Sequence, residues 1–192
     1  MPSSPLLAPP GAGLPQPELL VARLLFRSFR LRNSREAVTW QFEREHARIL
    51  ELVRNCHPDD AARPVLIQRL AGMEDSSRNW SVFMTLEHLR IVNGAIAQTI
   101  CLLAAGKTPP GAASTAAVKP PPGVGPETIE AFHAGCQNYL VTVEEIPHLK
   151  TAARYAHPWF GPLDAAGWHA MAAFHMTLHR RQIESIVELL DR

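Results

Sequence analysis

Cysteine is scarce in this chain of 192 residues: there are three, Cys56, Cys101 and Cys136. They are odd in number and far apart, which excludes a disulfide framework and a CxxC metal knuckle. A reducing, cytoplasmic setting is therefore expected, with all three acting as small buried hydrophobes. An excess of charge of one sign is also missing. The 19 basic residues are balanced by 18 acidic ones, so the basic stripe of a general nucleic-acid binder is absent. No stretch reaches the roughly 18–20 apolar residues that span a bilayer. Residues 1–17 hold six prolines and no positive charge, so a secretory signal is not expected. Runs of alternating apolar and polar residues bounded by turns are lacking too, and no sheet is expected.

What is present is apolar content at helical spacing. Hydrophobic residues make up 46% of the chain, enough for a core, and the length suits one domain. Residues 1–17 read as a flexible proline-rich N-terminus and residues 18–192 as the folded domain. Glu18 to Arg32 reads as a basic amphipathic helix, with Arg23, Arg27 and Arg30 on one side and Leu20, Leu24, Leu25 and Leu31 around the rest. Such a helix can lie on a membrane surface, but it more often covers an apolar seam of its own domain or a dimer partner, which makes a homodimer one expectation. Asn33 to Glu36 resembles a capping box, and the helix it opens runs to about Asn55. A short helix is expected over Val65 to Met73.

Two long apolar helices follow, Asn79 to Ala104 and Glu127 to about Ile146, the second stopped by Pro147. Gly94 lies in the first and offers a site for close helix approach. Between the two, residues 105–126 lack any periodicity. A loop of that length makes sense as a crossover along the outside of a bundle. The segment AHPWFGPL (156–163) then leads to Asp164, a helix cap, and a last helix ending near Leu190. The fold class is all-α: a four-helix bundle with a long crossover between its second and third core helices.

In the last helix His175 and His179 are four apart and share a face with Met171, Ile183 and Ile186. Buried imidazoles need partners. A divalent metal is one partner, and backbone groups or water are the other. Of the remaining histidines, His46 reads as solvated, His157 as structural and His169 as turned away from the pair. His133 and His148 have no neighbour at ligand spacing.

Trp80-Ser81 opening a helix, His88-Leu89 two turns on, then HPWFGPL and FHMTLHRRQI resemble the DinB-like superfamily, the DinB and bacillithiol-transferase group. The resemblance covers about residues 18–192. It implies a metal site of His88, His175 and His179, which suits zinc, nickel or iron with positions left open. Gln182, three after His179, could brace a ligand histidine or equally face solvent, and the resemblance implies that Asn93 could stand near the metal. Glu87 points away from His88, and no residue is assigned as general acid or base. The implied activity is metal-dependent S-transfer from a low-molecular-weight thiol (bacillithiol, mycothiol or glutathione) to an electrophile near Trp80, Trp159 and Phe160. A non-catalytic or stress-related metal-binding bundle is the alternative, and a hydrolase follows less directly.

Overall fold

A computed structural model describes residues 6–191. Residues 1–5 of the expected flexible segment lie outside them. Among the described residues there are six α-helices: α1 Gln16–Arg32, α2 Arg35–Arg54, α3 Pro58–Ala62, α4 Val82–Ala104, α5 Glu127–Glu145 and α6 Ala165–Leu190. Four of them form the bundle. α6 packs against α2 and α4, α4 against α5, and α5 against α2, closing a ring.

Helix directions follow from which residues meet. Thr39 meets His169 and Glu45 meets Arg180, so α2 and α6 run parallel. His88 meets His179 and Asn93 meets Met176, so α4 opposes α6. Phe42 stacks on Tyr139 and His46 packs on Phe132, so α5 opposes α2. α4 and α5 are therefore parallel neighbours. The 23 residues of α4 span about 35 Å, and residues 105–126 must return the chain over that length, as a crossover does.

Local chemistry sets the helix ends. Ser34 Oγ accepts from Ala37 N–H at the start of α2, one residue later than the expected Asn33 cap. Ser81 Oγ accepts from Met84 N–H at the start of α4. Asp164 Oδ1 accepts from Gly167 N–H at the start of α6, as expected, and pairs with Arg30 of α1. The core is continuous across the bundle and includes Phe42, Ile49, Phe83, Leu86, Leu89, Phe132 and Ile183.

Several expectations are corrected. Two small antiparallel sheets are present: β1 Val65–Leu66 with β2 Asn79–Trp80, and β3 Tyr155–His157 with β4 Gly161–Leu163. Strands of two or three residues are too short for alternation to register in a sequence. The helix expected over Val65 to Met73 does not form. Gly72 takes φ +88° in a turn closed by Met73 N–H and Leu70 O, and Ile67 N–H bonds to Arg78 O instead. Gly94 is exposed and lies in open space, so it permits no close approach. Cys136 is buried, but Cys56 is only half-buried and Cys101 is exposed. His46 is buried rather than solvated, and its Nε2 lies 3.1 Å from His133 Nδ1, so His133 gains a partner from another helix.

α1 lies outside the ring against α6. It buries Ala22 and Phe26, while Leu20, Val21, Leu24, Leu25 and Leu31 stay exposed. Arg23 Nε donates to Trp159 O, which fastens α1 to the tip of the β3–β4 hairpin. No helix among the described residues is long and apolar enough to cross a membrane.

Candidate metal centre

His88 comes from the second turn of α4, and His175 and His179 from the middle of α6. The antiparallel packing of these helices brings the three together. His175 Nε2 lies 3.2 Å from His88 Nε2 and 3.0 Å from His179 Nε2. One ligand nitrogen from each lies within 4.8 Å of the others. Ligand nitrogens around a tetrahedral ion at about 2.0–2.1 Å are roughly 3.3 Å apart, so the spacing fits an ion with little movement.

The other ring nitrogens decide which atoms are free. His88 Nδ1 lies 2.7 Å from Val118 O, which can only accept, so Nδ1 carries the proton. Gln182 Nε2 donates to Ser77 O at 2.8 Å, which turns Gln182 Oε1 toward His179 Nδ1 at 2.7 Å. His179 therefore also carries its proton on Nδ1. Both rings aim a bare Nε2 lone pair at the same point. A single proton on His175 Nε2 could satisfy only one of them at a time, whereas a cation satisfies all three nitrogens. His175 Nδ1 is buried with no hydrogen-bond partner.

Electrostatics agree with that arrangement. Burial pushes His88 down to about 4, against a weaker upward effect of the Val118 bond. Burial and the neighbouring imidazoles hold His175 and His179 well below the usual histidine range. The rings are neutral at physiological pH, which is the metal-ligating form.

Trp80 forms one wall of the cluster, with its ring centroid 5.0 Å from His88 and 6.1 Å from His179. On the other side is a cavity of about 380 Å³ that all three histidines line. Its walls come from α4, α6, the crossover, the β3–β4 hairpin and Leu14 of the N-terminal segment. Trp159 and Phe160 line it as expected, while Trp80 stays behind the imidazoles.

Sequence reasoning missed two residues here. Glu74 and Lys119 line the same cavity, and the buried Glu74 pairs with the half-buried Lys119 at 2.8 Å. Burial raises the Glu74 carboxyl, but its bonds to Lys119 and Thr115 outweigh that and leave it below the ordinary value. Lys119 also donates to Ser77 Oγ and stands over the Trp80 ring. The two residues sit on irregular segments far apart in sequence, and no motif marks either.

Other expected neighbours fall elsewhere. Gln182 braces His179, while Asn93 contacts Cys136 and Met176 sulfurs rather than a ligand histidine. Glu87 is tied to Arg90. His169 faces Tyr139 and Thr39 on the far side of α6. His157 lines the cavity as part of the hairpin, with Nδ1 accepting from Trp159 N–H.

The comparisons with known proteins speak to the fold. No family model and no curated protein matches the chain. It is similar to the crystal structure of TT2238, a four-helix bundle protein, with a TM-score of 0.59 at 20% identity, over 79% of this chain and 98% of that one. At that identity the likeness is one of fold. The architecture is thus a four-helix bundle, and inside it three histidines are positioned to hold a metal ion.

Proposed function

We propose that this chain is a DinB-like metal protein that binds a divalent ion (zinc, nickel or iron) through His88, His175 and His179 and acts as a thiol S-transferase. The convergence of three Nε2 atoms, two of them bare by hydrogen-bond accounting, carries the metal part of the reading. The ion would supply Lewis acidity that lowers the pKa of a thiol reaching it. In the transfer, sulfur forms a bond to the electrophilic carbon, the leaving group departs with its electron pair, and the thiol proton goes to solvent. The thiol would be one of low molecular weight that reaches the ion through the cavity, and the electrophile would lie against Trp159 and Phe160. Hydrolysis is the weaker reading, because Glu74, the carboxylate lining the cavity, is held by Lys119.

Metal analysis of the purified, reconstituted protein tests the site. One equivalent of metal is expected in the wild type, with most of it lost in His88→Ala and His175→Ala. Equal stoichiometry in all three would overturn the assignment. A panel of low-molecular-weight thiols with a chromogenic electrophile then tests the reaction. Metal-dependent turnover supports the transferase, while bound metal without turnover assigns the ion to tying α4 to α6. The same proposal includes a homodimer through the exposed leucines of α1. Light scattering of the wild type should give twice the chain mass, and Leu24→Lys should halve it.

A further inference from the structure

The cavity beside the histidines is lined mostly by apolar side chains. Leu14, Val92, Phe160, Met171, Phe174 and Leu178 supply much of its wall. Among the described residues Glu74 and Lys119 are the charged side chains lining it, and they neutralise each other. Glu74 is further occupied by Thr115 and Ser76 hydroxyls, and Lys119 by Ser77. No cation lining it among the described residues is left over for the carboxylates of a peptide thiol, and burying such charges unpaired is costly. The three ring nitrogens offer one point of attachment, and the rest of the lining, apart from polar residues such as Gln98, Thr99 and Ser114, is largely apolar. Its volume, about 380 Å³, falls at the small end of the range of ligand cavities, about 300–1,000 Å³.

We propose that the cavity's ligand is a small alkyl or aryl molecule with a single metal-ligating head, a thiol above all, whose apolar body extends between α4, α6 and the crossover. The head-group half of this inference rests on the proposed metal site, and the apolar-body half does not. If both hold, the thiol that reacts is hydrophobic rather than a charged peptide or sugar thiol.

Calorimetry with linear thiols from butanethiol to octanethiol, their alcohol counterparts and glutathione tests it, on metal-loaded and on metal-free protein. With metal, affinity should rise up to about fourfold per added methylene, the equivalent of about 0.8 kcal/mol, and each thiol should bind more tightly than its alcohol. Glutathione should bind more weakly than hexanethiol. Without metal the chain-length trend should persist and the preference for thiol should vanish. Ala95→Phe, at an exposed position of α4 that lines the cavity, should end the rise at a shorter chain while circular dichroism stays unchanged. A flat chain-length series, or glutathione binding as tightly as hexanethiol, would overturn the inference. A rising series with no thiol preference even in the presence of metal would overturn the metal reading and leave the apolar ligand standing.

Discussion

His179 and Gln182 show how one side chain determines what another can do. Gln182 is fully buried, and because its amide nitrogen is given to Ser77 O, its oxygen must take the imidazole proton. Gln182→Leu should therefore leave all three ligands in place and still weaken metal affinity about 10–100-fold, the usual effect of losing a group that orients a ligand. Competition with a chelator of known affinity measures this, and unchanged affinity would contradict the orienting role. Asn93 is the opposite case. It is buried, its nitrogen meets only sulfur atoms and its oxygen has no partner. Replacing it with leucine removes an uncompensated polar group, so Asn93→Leu should stabilise the fold by about 1 kcal/mol in urea denaturation, with metal stoichiometry unchanged. Of these residues, His175 and His179 were legible because i, i+4 spacing on an apolar face has a geometric meaning. Gln182 could be suspected from its distance to His179. Glu74 and Lys119 could not, because their meeting depends on where two loops lie.

At the scale of elements, the crossover does more than return the chain. Val118 O holds the tautomer of His88, and Lys119 pairs with Glu74 of the segment before α4. Lys119→Met should leave the buried Glu74 carboxylate without its cation and cost about 1–3 kcal/mol, below the about 3–5 kcal/mol of a fully buried pair, because Lys119 is half-buried and Thr115 and Ser76 still donate to Glu74. The double change Glu74→Gln with Lys119→Met should recover most of that loss. A double-mutant cycle by chemical denaturation checks both, and a small single-mutant effect would show that water reaches the pair. The crossover's existence followed from a long aperiodic segment between two apolar helices. Its contacts did not, since no periodicity constrains a loop. The hairpin over 155–163 was hidden for a related reason. Its strands are three residues long and include Pro162; the turn over 158–160 joins them, Gly161 at φ +70° opens the second, and Tyr155 packs on Trp168.

The molecule as a whole carries neutral imidazoles that are not candidate ligands. Burial, then the neighbouring His133 and Arg54, pushes His46 down to about 4. Burial does the same for His169, between Tyr139 and Thr39. In the unfolded chain both return to about 6.5. Between about pH 6.5 and about pH 4 the unfolded state binds the extra protons, so stability should fall as pH falls through that window and be level above it. Urea denaturation at a series of pH values on metal-free protein measures the slope, and His46→Phe should reduce it. A stability that rises on acidification across the window would contradict the assignment. Adding metal at neutral pH should raise the melting temperature, because an ion that binds only the folded state stabilises it by mass action.

The sequence by itself determined that the chain is helical, where its long helices run, that a crossover separates the middle two, and that His175 and His179 share a face. These follow from spacing along one chain, because a helix converts sequence intervals into directions. The resemblance had implied His88 as a third ligand, but only the tertiary structure brought it beside the pair and decided that both braced histidines protonate at Nδ1, that Glu74 and Lys119 cancel each other, and that an apolar cavity opens onto the three rings. Each of those depends on distances between segments remote in sequence, and such distances are set by how helices and loops pack rather than by the order of their residues.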